Sequence, residues 1–320
     1  MPRLFYPDGT FKDVEHINGY LFEGPDIYVE SRPTPLCHVP PMFFGSMPND
    51  GGNLILSEEE RADLLKNCPQ AEKYIRRYMG AKEFLYNQMR YCLWLVDCPP
   101  DEVRKMKPVY ERVKKCREHR LNSKSAATRK SAENPMLFYQ IAQPNTDYIC
   151  VPRVSSENRK YIPMDYVSSE IICSDANLMI PNAEMWQFGI LQSSVHMIWT
   201  STVCGRLEMR YRYSAQIVYN NFVWKRMHFD DFAKLWLSAK NILDVRKNYP
   251  NASLADLYDE ITMPKDLREA HRENDKLVMK IYGFNKKMTD EEIAISLLMQ
   301  YDFLKNYQPP EKTEDDEDEY

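Results

Sequence analysis

Residues 193–224 read "SSVHMIWTSTVCGRLEMRYRYSAQIVYNNFVW", and the second half of this stretch decides what kind of fold surrounds it. Arg206, Glu208, Arg210 and Arg212 stand at every second position, with Tyr211, Tyr213 and Tyr219 interleaved or close behind. In an extended strand, alternate residues share one face. The spacing therefore predicts a strand over 206–212 that projects four charged side chains together, backed by aromatics. A Glu between arginines on such a face matches what reading a base pair requires. Arg reaches O6 and N7 of guanine, and Glu accepts from N4 of cytosine. The same pattern also describes a self-paired charge ladder on an exposed sheet, and spacing alone leaves both readings open.

The surroundings of this stretch are rich in short β-type runs. Between Pro135 and Val223 come "MLFYQIA", "DYICVPRV", "YIPMDYV", "EIICS", "NLMIP" and "QFGIL", separated by turn residues. That pattern predicts an antiparallel or mixed β unit. Upstream, Ser57 with Glu60 forms a capping-box start for a short helix that stops near Pro69. "AEKYIRRYM" predicts a second helix ended by Gly80. "EFLYNQMRYCLWLVD" suits helix or strand. Asp101 to Arg120 reads as a long basic helix, in which Pro108 is an interruption or an inner start. Residues 1–54 look irregular, with a turn at Asn49 to Gly52. Downstream, helical spacing returns in "DDFAKLWLSAKNILDVRKNY", in "SLADLYDEI" with Ser253 as cap, in "PKDLREAHRENDKLVMKIYGF" from Pro264 to Gly283, and in "TDEEIAISLLMQYDFLKNY". The expected class is α+β: a mixed or antiparallel β domain with helical insertions, followed by an all-α unit.

Composition narrows the function classes. The chain has 320 residues, 43% apolar, and its mean hydropathy is -0.58, with no long apolar run to span a membrane and no apolar leader at "MPRLFYPDGT". Eight scattered cysteines with no C-x-x-C pair read as reduced and mostly buried, in a cytoplasmic protein without a zinc site. The net charge of -5 is misleading, because the last ten residues hold seven acids against Lys312, or -6, which leaves +1 for the rest. Residues 104–130 hold eleven Lys and Arg against Glu111 and Glu118, a local +9 of the kind that meets phosphate backbones. A solvated basic helix is the bland alternative. The aromatic residues Trp94, Trp199, Phe222 and Trp224 read as core more readily than as base-stacking groups.

No catalytic centre emerges. His196 and His271 lack a nucleophile partner, and a lone His is more often structural. His271 and Asp275 share a helix face, which suggests capping or an intrahelical bond. There is no G-x-G-x-x-G, no Walker motif and no G-x-S-x-G. "YNNFVW" is not the Asn/Asp-Pro-Pro-Tyr/Phe tetrapeptide of adenine amino-methyltransferases, because the two prolines are missing.

Several strings, in order, resemble the C-terminal part of the MmeI-like restriction–modification proteins. They are "FFGSMPNDGGNLILSEEER", "YIRRYMG", "RYCLWL", "VPRVSSENRKYIP", "FGILQSSVHMIW", "GRLEMRYRYS", "IVYNNFVW", "NASLADLYDEITMPKDLREAHRENDKLV" and "YGF". The resemblance covers roughly residues 18–284, and Val223 departs from it where the family usually has Pro. It implies an edge of a methyltransferase domain in 1–25 and a DNA target-recognition domain in 26–226. Within that domain the helical, basic part would be 55–130 and the β-rich part 135–224. A C-terminal helical domain would follow in 227–308, with a disordered acidic tail at 309–320.

The implied partner is double-stranded DNA, with methyltransferase and nuclease domains in cis or on a separate polypeptide, and no membrane. AdoMet, and Mg for cleavage, would belong to those upstream domains, so no cofactor is expected here. Any adenine-specific methyltransferase or endonuclease activity would be the parent's. The resemblance further implies that Glu208 and Arg210 read one C·G pair, with Arg212 and the Cys173 to Asn177 segment beside them. Arg206, Ser155, Ser156, Arg159, Lys160, Ser123, Lys124 and Arg129 are the expected phosphate contacts. The competing reading is a non-catalytic interaction or scaffold piece whose basic surface docks an acidic partner.

Overall fold

The computed structural model describes residues 1–6 and 8–307; the tail at 309–320 lies outside the described residues. Strands β1 (Arg3–Phe5) and β2 (Phe11–Asp13) form a small hairpin. An extended strap then leads to β3 (Phe43–Phe44). The strap is fastened by the "YNN" of 219–221: Tyr219 donates to the Pro40 carbonyl at 2.7 Å, Asn220 to Arg32 at 2.8 Å, and Asn221 to Glu30 at 2.9 Å. Both asparagines are buried, and these bonds satisfy Nδ2 donors that burial would otherwise penalise, while each Oδ1 stays without a partner.

A first apolar core follows. It is built by β4 (Ile55–Leu56), α1 (Glu58–Asn67), a 3₁₀ turn (Pro69–Tyr74), β5 (Ile75–Met79), α2 (Ala81–Tyr86), β6 (Tyr91–Leu93), α3 (Pro100–Lys105), α4 (Lys107–Leu121) and α5 (Ala126–Lys130). Leu54, Leu56, Cys92, Leu93, Val109 and Cys116 form its centre. The capping box at Ser57 is present as read, with Glu60 reaching back to the Ser57 amide at 2.9 Å. The helix expected over "AEKYIRRYM" is a correction: its second half is β5, paired to β6 on one side. Pro108 lies in the first turn of α4, where a missing amide costs nothing. It therefore marks a new helix after α3.

Next come β7 (Tyr148–Pro152), β8 (Val154–Ser155), β9 (Asp165–Val167), β10 (Ile172–Cys173) and β11 (Asn177–Pro181). Strands β3, β11, β7 and β9 make an antiparallel sheet, with β7 and β11 buried at every residue. Strand β10 leaves that sheet and runs parallel to β5, aligning Ile172 with Tyr78. The helical, basic part and the β-rich part thus share a sheet. Two expected strands are corrections. "MLFYQIA" contributes only an isolated bridge from Gln140 to Met47. "QFGIL" falls inside α6 (Met185–Leu191), where Gln187 caps the Glu184 amide at 2.7 Å.

Helix α7 (Ser194–Val203) leads to β12 (Gly205–Leu207) and β13 (Arg210–Arg212), and a π-helical turn (Ala215–Tyr219) to α8 (Phe229–Arg246), α9 (Leu254–Leu257), α10 (Lys265–Tyr282) and α11 (Asp290–Asn306). No described helix is long and apolar enough to cross a membrane.

These last helices and the β-rich part share one apolar core, which includes Ile149, Leu178, Phe188, Trp199, Phe222, Leu235 and Leu297. Gly189 lets α6 approach α8, because a Cβ there would stand 2.9 Å from Leu235 Cδ1 and 3.0 Å from the Ala239 Cβ. A buried polar seam crosses the same boundary. Arg246 donates to the Met164 carbonyl at 2.8 Å, to Gln192 Oε1 at 2.9 Å, and to the Tyr258 hydroxyl. The Tyr258 hydroxyl lies 2.8 Å from His271 Nε2, and His271 Nδ1 lies 3.1 Å from the Gln192 carbonyl.

Candidate nucleic-acid interface

The stretch expected to be one seven-residue strand is a hairpin. Strands β12 and β13 pair antiparallel with Leu207 opposite Arg210, Arg206 opposite Tyr211 and Gly205 opposite Arg212. Glu208 and Met209 form the two-residue turn, and Glu208 takes a left-handed φ of 57°. Turns of this length need a positive φ to match the strand twist, and Gly or Asn usually supplies it. Because no such residue occurs here, the sequence carried no turn signal.

The reversal changes which side chains travel together. Residues opposite each other in an antiparallel pair share a face, so Arg210 and Arg212 lie with Leu207 on one face. Arg206 lies with Tyr211 on the other, a correction to the expected single row of four. Its guanidinium stacks over the Tyr211 ring at 4.1 Å. It also donates to the Met209 carbonyl at 3.3 Å and the Ser201 carbonyl at 3.2 Å. Arg206 therefore braces the turn against the end of α7, and its side chain stays exposed. At the tip, Arg210 Nη2 and Glu208 Oε2 are 2.8 Å apart, and both side chains are exposed. Arg212 is exposed and Tyr211 is buried.

Strand β13 also pairs with β8, which sets Tyr211 opposite Ser155 and Arg212 opposite Val154. This places "SSENRK" beside the hairpin. Ser155 itself is only 2% exposed and its Oγ faces Arg159 Nη1 at 3.5 Å. That removes it as a phosphate contact. Ser156 and Arg159 are half-buried, and Lys160 is exposed at the foot of α10.

The Cys173 to Asn177 segment is also corrected in part: Cys173 and Asn177 are fully buried. Asp175 and Ala176 remain half-buried. The structure adds Arg153, which the sequence reading missed. It sits one residue before β8 and donates to the Asp175 carbonyl at 3.0 Å, while its guanidinium stacks over Phe44 at 4.7 Å. An Arg in "VPRVSS" next to an Asp in "CSDAN" becomes a signal only once β7 and β11 are paired.

The basic stretch is less free than its charge suggested. Arg120 is 1% exposed, and all five of its N–H donors reach backbone carbonyls, those of Asn49, Ser131, Asn134, Pro48 and Leu137, at 2.7 to 3.2 Å. Arg112 bonds Glu60 at 2.7 Å and the Asn53 carbonyl at 3.1 Å. Arg129 donates to the carbonyls of Ser123 and Lys124, both at 2.8 Å, and closes that loop. Lys124 and Lys130 stay exposed.

His196 and His271 are fully buried, and burial holds both near pKa 3. His196 meets the Tyr213 hydroxyl at 2.9 Å. Asp275 accepts from Tyr161 at 2.6 Å and from the Ser194 amide at 2.7 Å, so it caps α7. These groups tie elements together; Asp275 also lines a cleft with Lys160, Arg272 and Lys276. Trp199, Phe222 and Trp224 are core residues, as expected.

Two family models match the chain: "MmeI, target recognition domain" over residues 23–226 and "MmeI, C-terminal domain" over 233–307. A curated relative, DNA methyltransferase A of Bacillus subtilis (strain 168), is 36% identical over 299 residues. That alignment takes in 93% of this chain and 34% of the relative, so the chain spans about a third of its length. Among solved structures, the Type IIL restriction–modification enzyme MmeI in complex with DNA superposes with a TM-score of 0.90 at 42% identity. The match covers 93% of this chain and 40% of that one.

Proposed function

The chain belongs to the MmeI family, and on that premise we propose that it is the sequence-reading module of an adenine-specific DNA methyltransferase or combined restriction–modification enzyme. One observation supports this most: inside the target-recognition match, an exposed acceptor and an exposed donor, Glu208 and Arg210, sit at the tip of a braced hairpin. In the free chain they satisfy each other. In the major groove the pair opens, Glu208 accepting from the cytosine amine and Arg210 donating to O6 and N7 of guanine. An exposed ion pair is weak in water, so opening it costs little. A mismatched base leaves one of the two groups unpaired against the groove, and that is the source of discrimination.

Arg212, on the same face as Arg210, and Arg153, held by Phe44 beside Asp175, extend the reading surface. Ser156, Arg159, Lys160, Ser123, Lys124 and Arg129 position the duplex through its phosphates, which sets register without reading sequence. The domains that bind AdoMet and rotate the target adenine out of the stack would lie elsewhere in the parent, in cis or on a second polypeptide.

The test is selection from randomised duplexes at moderate salt, on the wild-type chain and on the double variant Glu208→Lys/Arg210→Asp. The expected result is a short motif in which one C·G pair becomes G·C in the variant. Affinity for duplex should also fall by orders of magnitude between about 50 and 200 mM salt. A folded chain that enriches no motif, or a variant that keeps the C·G pair, refutes the proposal.

A further inference from the structure

The hairpin turn breaks two local rules at once. Glu208 occupies a left-handed φ that an L side chain with a Cβ adopts at a cost. Met209, a large apolar residue, follows it and is 70% exposed at the outermost point. A turn that had only to reverse the chain would use Asn-Gly or Asp-Gly. Local violations without a structural gain mark positions kept for what they present.

The presentation is also fixed. The Met209 carbonyl is held by Arg206, and Arg206 is held in turn by the Tyr211 ring and the Ser201 carbonyl. Leu207, 43% exposed, adds a second apolar group on the face of Arg210 and Arg212. The tip thus offers a thioether between a base-reading carboxylate and a base-reading guanidinium. In the major groove the apolar group at the same depth as base donors and acceptors is the C5-methyl of thymine. A flexible, polarisable side chain suits that contact.

We propose that Met209 is a specificity-determining residue that reads the thymine methyl of the base pair adjoining the one read by Glu208 and Arg210. This rests on the base-reading assignment of the hairpin above. It adds an apolar channel of readout to a polar one, and it predicts that the selected motif contains an A·T or T·A pair next to the C·G pair.

The experiment measures binding of the full chain to the selected duplex and to copies in which each thymine in turn is replaced by uracil, which removes only the methyl. Wild type should lose about fourfold on one uracil duplex, the value of one buried methyl group. Met209→Ala should bind the thymine duplex about fourfold more weakly and should not distinguish thymine from uracil. Met209→Gln keeps the length and should behave likewise, which separates the apolar contact from simple reach. Both variants alter an exposed side chain and leave the fold intact.

Wild type indifferent to every thymine-to-uracil change overturns the inference while leaving the Glu208 and Arg210 reading in place. So does Met209→Ala weakening all duplexes equally, which would mark a sugar or phosphate contact. A chain that selects no motif overturns both.

Discussion

Arg120 offers the sharpest test of how this fold is held. Its guanidinium is buried beside no carboxylate partner, yet each of its five donors meets a carbonyl of the 48–49 turn or of the 131–137 segment. Arg120→Met keeps the stem and removes five hydrogen bonds; the carbonyls of Ser131, Asn134 and Pro48 keep a backbone donor each, and those of Asn49 and Leu137 lose theirs. A hydrogen bond to a charged group contributes net about 1 kcal/mol or more, and five give about 5. Relief of the buried charge returns part of this, so a loss of about 4 kcal/mol is expected.

Cys116, one turn earlier on the same face of α4, reports the opening of this unit. Its thiol is fully buried, and burial pushes it up to about 11, so it reacts with a thiol reagent at neutral pH only when the unit opens. Site-resolved mass spectrometry should show Cys116 labelling about a thousandfold faster in Arg120→Met, since each 1.4 kcal/mol is a factor of about ten. Arg120→Lys, with three donors and the charge retained, should fall between. If Arg120→Met labels within threefold of wild type, the carbonyl cage contributes little and the reasoning is wrong.

Three further outcomes follow from the same structure. His196 and His271 are depressed from about 6.5 to about 3, so the unfolded chain takes up their protons first and stability falls as pH drops through 6.5 toward 3. Each contributes up to about 1.4 kcal/mol per pH unit. Asp165 and Asp275, which burial raises, offset part of this lower down; urea midpoints measured from pH 7 to pH 5 should decline, and a flat profile contradicts the assignment. Gly45→Ala would place a Cβ 2.3 Å from the Ser174 carbonyl oxygen. It should cost about 1 to 3 kcal/mol by thermal unfolding. Asp275→Ala removes the acceptor of both Tyr161 and the Ser194 amide, and should lower stability by about 2 kcal/mol in denaturant titration; a change under about 0.5 kcal/mol would count against the capping role.

The parts of this fold that were legible in the sequence are those decided locally. Ser57, Ser253 and Gly283 signalled helix ends because capping chemistry lies within three residues of the cap. The short β-type runs and the return of helical spacing gave the class, and the ordered family strings gave the expected boundaries of the parts. The misread elements are those decided by distant partners. "IRRYM" became β5 because β6 and, from nearly a hundred residues downstream, β10 flank it. "QFGIL" is the exception: the cap that Gln187 closes on Glu184 is local, and the sequence reading passed over it. The 206–212 stretch was misread in its geometry, since nothing in Glu208-Met209 announces a reversal. Arg153 was invisible because its neighbours Phe44 and Asp175 are supplied by β3 and by the loop before β11.

The hairpin begins and ends at paired positions, Gly205 opposite Arg212, and the buried Tyr211 ring, the Arg206 brace and the pairing of β13 with β8 seat it on the rest of the protein. Everything beyond that ring faces solvent. Substitutions at Leu207, Glu208, Met209 and Arg210 therefore leave the apolar core unaltered, and a lineage can exchange them without first acquiring compensating changes elsewhere. A recognition surface with so few structural obligations is free to drift between targets, whereas Arg206, Tyr211 and Ser155, which seat it, are not.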